Sequence, residues 1–117
     1  MVLNHDDIVQ IQKRREFTRH TSAKLFDEGI TLLHFEPLRA EQKFRAVTEL
    51  EPSNPYGYVY LLFAMEDNAR PLSALLTTCS RFIEVAERKR IHGLDGISKA
   101  MMNGYLSASQ HLLIRTT

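Results

Sequence analysis

Apolar residues recur every three or four positions along most of this chain, and prolines and glycines divide the recurrence into segments. Ile8 and Ile11 share one face of a first helix, for which Asp6 or Asp7 is the expected cap. The stretch from Lys13 to Arg19 is polar and basic, relieved only by Phe17. Thr21 or Ser22 then caps a second helix, unless the first runs straight through. Leu25, Phe26, Gly29, Ile30, Leu32 and Leu33 form its wide apolar face. Pro37 disfavours helix at Glu36 and marks a turn.

The next helix carries Ala40, Phe44, Val47 and Leu50 and stops at Glu51-Pro52-Ser53-Asn54-Pro55. Pro55 opens another, with Tyr58, Val59, Leu61, Leu62 and Met65, which ends in the polar turn Asp67 to Arg70. Pro71 is expected at the first position of a helix striped by Leu72, Leu75, Leu76, Cys79, Phe82, Ile83 and Ala86. Gly93 is its expected stop, after the cationic turn Arg88-Lys89-Arg90. Asp95 caps a last helix whose apolar members are Ile97, Met101, Tyr105, Leu112 and Leu113. No segment alternates with period two, so the expected fold is all-α with five to six helices, antiparallel across short loops.

Composition fits one globular domain. Of 117 residues 44% are hydrophobic and 25% charged, and the net charge is +1, so no overall field draws the chain to nucleic acid or an anionic membrane. The opening residues lack an apolar core, Val59 to Met65 is too short to span a bilayer, and the lone Cys79 suits a reducing compartment. A cytoplasmic protein is the expectation.

A repeat is visible. Ala40 and Ala74 lie roughly 34 residues apart, each early in the second helix of a pair. Leu25-x-x-Glu28-Gly29-x-x-Leu32 corresponds to Tyr58-x-x-Leu61-Leu62-x-x-Met65. Gly29, then Ala40-x-x-x-Phe44, then Pro52 resembles the tetratricopeptide pattern of a small residue, Ala-x-x-x-Phe and a terminal proline. Departures are a shortened first turn, Leu62 where a small residue is usual, Thr78 where an aromatic is usual, and an overlong closing helix. The resemblance implies a right-handed superhelical stack. Residues 1–20 would form an arm, 21–52 and 53–92 two repeats, and 93–117 a capping helix. Gly29, Ala40 and Ala74 would sit where helices cross closely, Phe44 would complete the Ala-x-x-x-Phe pattern, and Pro52 would close the first unit.

The same resemblance implies a concave groove that takes a protein or peptide. The first repeat would present Ala23, Phe26, Ile30 and Leu33, the second Tyr56, Val59, Phe63 and Glu66, and the last helix Ser98, Met101, Tyr105 and Ala108. So apolar a surface needs a cover: a partner's amphipathic segment, a second copy in a homodimer, or this chain's own Ile8, Ile11 and Phe17. The alternative is nucleic-acid binding through the basic stretches 13–24 and 88–92, which Glu16 and Glu87 interrupt.

No catalytic, metal-binding or cofactor-binding residue is assigned. His5, His20, His34, His92 and His111 lack ligand spacing, and His34 is expected to cap or pack. Cys79 reads as a buried small hydrophobe. The carboxylate pairs Asp6-Asp7, Asp27-Glu28 and Glu66-Asp67 are adjacent in sequence and so point apart.

Overall fold

A computed structural model describes the backbone of residues 4–116 and the side chains of residues 4–110. Five helices follow one another: α1 (His5–Leu32), α2 (Pro37–Leu50), α3 (Pro55–Asp67), α4 (Leu72–Lys89) and α5 (Leu94–Thr116). Among the described residues there is no strand. The fold is all-α.

α1 runs unbroken for 28 residues. Asn4, rather than Asp6 or Asp7, is the cap: its side chain accepts the Asp7 N–H at 2.9 Å. The two aspartates lie in the first turn, where their charge meets the positive end of the helix. No second helix begins at Thr21 or Ser22, and Ser22 is buried inside α1. A serine's capping preference is a local term; here the apolar register continues across it, and packing wins.

The prolines set the later boundaries. Pro37 and Pro55 occupy first turns of α2 and α3, where a missing N–H costs nothing. Asn54 caps α3 through the Tyr56 N–H, and the Tyr58 hydroxyl donates to the Pro52 carbonyl at 2.9 Å, pinning the junction. Pro71 stands one position earlier than expected, as the cap of α4. α3 ends in two backbone bonds, Arg70 N–H to Met65 carbonyl and Ala69 N–H to Glu66 carbonyl, which place Ala69 at φ 53.

Gly93 does not end α4. The helix stops at Lys89 because Arg90 turns left-handed, at φ 53. Gly93, at φ 81, instead stands immediately before α5, its carbonyl accepting the Ile97 N–H. Asp95 is likewise not the cap; within the first turn its carboxylate accepts the Gly96 N–H. Among the described side chains of α5 the buried apolar residue is Leu94, while Ile97 is half exposed. The side chains of Leu112, Leu113 and His111 lie outside the described residues.

Each helix packs mainly on its neighbours in sequence, α1 on α2 through to α4 on α5. The result is long, 65 × 32 × 24 Å, with a radius of gyration of 17.3 Å. A compact globule of this length would have roughly 13 Å. α3 is the central element: Pro55, Gly57, Tyr58, Val59, Leu61, Leu62, Ala64 and Met65 are all buried. A helix apolar on nearly every side must be covered on nearly every side.

Two close approaches fix the stack. A Cβ on Gly29 would lie 2.7 Å from Phe44 Cε1, so α1 and α2 touch at a spacing that only glycine permits. A Cβ on Gly57 would lie 3.1 Å from Val47 Cγ1, bringing α3 close to α2. Ala40 and Phe44 are fully buried, and Ala74 is half-buried against the core. Glu41 is a buried charge held by three donors: Arg70 Nε and Asn68 Nδ2 to Oε1, each at 2.9 Å, and Arg45 to Oε2 at 3.3 Å. Asn68 also donates to the Pro37 carbonyl, which ties the start of α2 to the end of α3.

Candidate partner-binding groove

Aromatic side chains of α1, α2 and α3 meet in one cluster. Phe26 meets Phe44 and Tyr60 edge-on, at ring-centroid distances of 5.7 and 5.0 Å. Tyr60 in turn meets Phe63 edge-on at 5.6 Å. Such contacts lock ring orientation as well as burying area. The inner ring, Phe44, is fully covered, whereas Phe63 is 39% and Tyr56 46% exposed. The face therefore grades from core to surface. Beside it runs a cleft of 470 Å³, bordered by Arg19, Ala23, Phe26 and Asp27 of α1, Glu51 and Asn54 of the junction, and Tyr56 and Tyr60 of α3.

Among the residues expected in the groove, Phe26, Tyr56 and Phe63 are brought together here. Ala23 borders the cleft, and Ile30 is 41% exposed one turn beyond Phe26. Leu33 and Val59 are corrections: both belong to the core, at 9% and 7% exposure. Leu33 follows the last residue of α1 and turns inward with the chain. Val59 is displaced by register. The outward line on α3 is Tyr56, Tyr60, Phe63 and Asp67, and Tyr60 takes the place expected for Val59. The spacing i, i+4, i+7, i+11 was available in the sequence, but every neighbouring line on α3 is equally apolar. Ser98 is also core, fully buried, its hydroxyl donating to the Asp95 carbonyl.

α5 closes one side. Met101 and Tyr105 are half-buried against the core, and Ala108 is exposed. The Tyr105 hydroxyl donates to Glu66 Oε1, joining α5 to α3. Burial, and then the adjacent carboxylate, push the Tyr105 phenol well above its usual range. The chain's own N-terminal turns do not fill the groove: α1 is continuous, and Ile8, Ile11 and Phe17 are 43%, 37% and 72% exposed.

A larger depression of 850 Å³ lies between α1 and α2, walled by His20, Lys24, Asp27, Glu28, Arg39 and Lys43. One ion pair crosses it: Lys43 Nζ sits 2.9 Å from Glu28 Oε2 and holds that carboxyl below its usual range. It has no aromatic floor. Elsewhere, Cys79 is fully covered, with its thiol pushed up by burial, and its Sγ donates weakly to the Ser98 carbonyl. His34 is exposed in the α1–α2 turn rather than packed. Among the described residues no group of three or more His, Cys, Asp or Glu side chains is arranged to hold a metal ion. No described helix is long and apolar enough to cross a membrane.

The two basic stretches both approach the α2–α3 junction. Arg14, Arg15 and Arg19 border one depression with Glu51, and Lys89 borders another with the same Glu51. No family model, curated protein or solved structure matches this chain.

Proposed function

We propose that the chain is a protein-interaction module of tetratricopeptide type, an adaptor, chaperone-like or regulatory subunit with no chemistry of its own. Its groove takes an apolar helix or an extended peptide. The observation that carries this reading is the Phe26–Tyr60–Phe63 ladder beside Tyr56, rigid at its base and open to water at its edge. Covering a half-exposed aromatic is worth about 2 kcal/mol. Rings already fixed by edge-on contacts lose little side-chain entropy when a partner arrives, which is how aromatic anchors become binding hot spots. The close approach at Gly29 and the junction at Pro52 support the repeat reading, because both stand where that family narrows a hairpin and closes a unit.

The test is selection of binders from a displayed library of amphipathic helices and peptides. Phe63→Glu and Tyr56→Glu each remove binding while circular dichroism and melting stay near wild type. Leu106→Glu, at an exposed apolar position of α5, leaves binding intact. Binders indifferent to both groove substitutions refute the proposal.

One arrangement favours a second reading, nucleic-acid binding: both basic stretches flank the 51–55 junction. Glu51 between them weakens the field there. A salt-sensitive gel shift that disappears on charge reversal of Arg15 and Lys89, and survives Phe63→Glu, would establish it.

A further inference from the structure

The two helices of the first hairpin differ twofold in length: α1 has 28 residues and α2 has 14. At about 1.5 Å per residue, α2 covers only the later half of α1. The contact stripe does not stop where α2 stops. Asn4, Ile8, Ile11, Arg15, Thr18, Ser22, Leu25 and Gly29 follow one another at alternating steps of four and three, the seam of a coiled coil. Ser22 and Gly29 of this seam are buried, Thr18 and Leu25 half-buried, and Ile11 and Ile8 are 37% and 43% exposed. The earlier half of the seam projects from the body without a covering helix.

We infer that the projecting turns of α1, residues 4–15, pair antiparallel with the same turns of a second copy of the chain. Charge decides the occupant and its direction. Asp7 and Arg14 flank the seam on the same side, one heptad apart. In an antiparallel pair, seam-flanking positions of this kind meet each other across the interface. Ile8 of one copy then lies against Ile11 of the other, twice, and each Asp7 meets Arg14 of the second copy. In a parallel pair Asp7 meets Gln12 and no charge is matched.

Among the described residues neither side chain has an ion-pair partner. Three and four residues from Asp7 stand Leu3, Asn4, Gln10 and Ile11; around Arg14 stand Gln10, Ile11, Phe17 and Thr18. No ion pair among the described residues involves either, and Glu51, which borders the same depression as Arg14, is not within ion-pair distance. Two isoleucine layers and two ion pairs bury less than the roughly 800 Å² per partner of a durable complex. The dimer is therefore weak and concentration-dependent. It leaves the Tyr56–Phe63 face free.

Sedimentation velocity on the intact chain, over a concentration series reaching about 1 mM, tests this. The wild type passes from monomer to dimer. Asp7→Arg or Arg14→Asp alone puts like charges together twice and weakens association about tenfold. An equimolar mixture of the two variants matches every flanking charge and recovers wild-type association, whereas Phe63→Glu has no effect. Three results would overturn the inference: a monomer at every concentration, charge variants that dimerise like wild type, or a mixture no better than its components.

Discussion

Gly29→Ala and Gly104→Ala make the same chemical change in the interior of a helix, yet only the second is expected to stabilise. Alanine outperforms glycine in a helix by about 0.8–1 kcal/mol, because glycine loses more backbone freedom on folding. At Gly104, on the exposed side of α5, a new Cβ meets nothing within 4 Å, so that gain of about 1 kcal/mol appears in full. At Gly29 the same Cβ falls 2.7, 2.8 and 3.1 Å from three atoms of the Phe44 ring. That ring is fully buried and held by Phe26 and Tyr60, at 5.7 and 5.6 Å, so it has nowhere to turn. Overpacking of this kind costs about 1–3 kcal/mol, which cancels or exceeds the propensity gain. Gly29→Ala is thus neutral to destabilising by about 2 kcal/mol, while Gly104→Ala stabilises. Urea unfolding of both variants measures it, and the difference between them isolates the steric term because propensity is common to both. Adding Phe44→Leu to Gly29→Ala should show favourable coupling, since the smaller side chain vacates the clash. If Gly29→Ala gains as much stability as Gly104→Ala with an unchanged denaturant slope, the close approach of α1 and α2 is wrong.

Further expectations follow from the buried charge, the helix stops and the core thiol. Burial works to raise the Glu41 carboxyl, but donors from Arg70, Asn68 and Arg45 outweigh it and hold the group below its usual value of 4.5. A depressed acid stabilises the fold above its unfolded value and loses that contribution as pH falls through the folded one. Thermal melts should therefore fall as pH drops below 4.5, with Glu41→Gln flattening that limb and costing about 1–3 kcal/mol at pH 7. Tyr105 has the opposite sign: its raised phenol keeps its contribution below pH 10 and loses it on further alkalinisation, so Tyr105→Phe should blunt the alkaline decline in melting. Ala69→Gly removes a left-handed alanine and should stabilise by about 0.5–1 kcal/mol in urea unfolding; Arg90→Gly should gain less, because it also deletes a cation near the end of α4. Cys79 should react with a thiol reagent only at the rate of unfolding, and labelling at native rates as fast as a free thiol would contradict its burial.

Proline and periodicity act locally, and their consequences can be read along the chain. Pro37, Pro55 and Pro71 fix φ and remove a donor wherever they stand, so the starts of α2, α3 and α4 are local facts, legible before any packing is known. Gly29 was legible as a site of close helix approach from the resemblance, but that Phe44 is the side chain it meets came only with the fold. Other features depend on what the fold brings into contact. Ser22, a capping residue by type, is core because the α1 seam runs through it, and Arg90 stops α4 although Gly93 stands close by. The outward face of α3 is Tyr60 rather than Val59, because a helix apolar all round has no periodic signal to select a face. Only its neighbours can choose. The same holds for Glu41, a solvated charge by local rules, which is buried because Asn68 and Arg70, distant in sequence, arrive with the donors that make burial affordable. Short-range sterics act within a few residues and can be read along the chain, whereas desolvation depends on what the folded chain brings opposite.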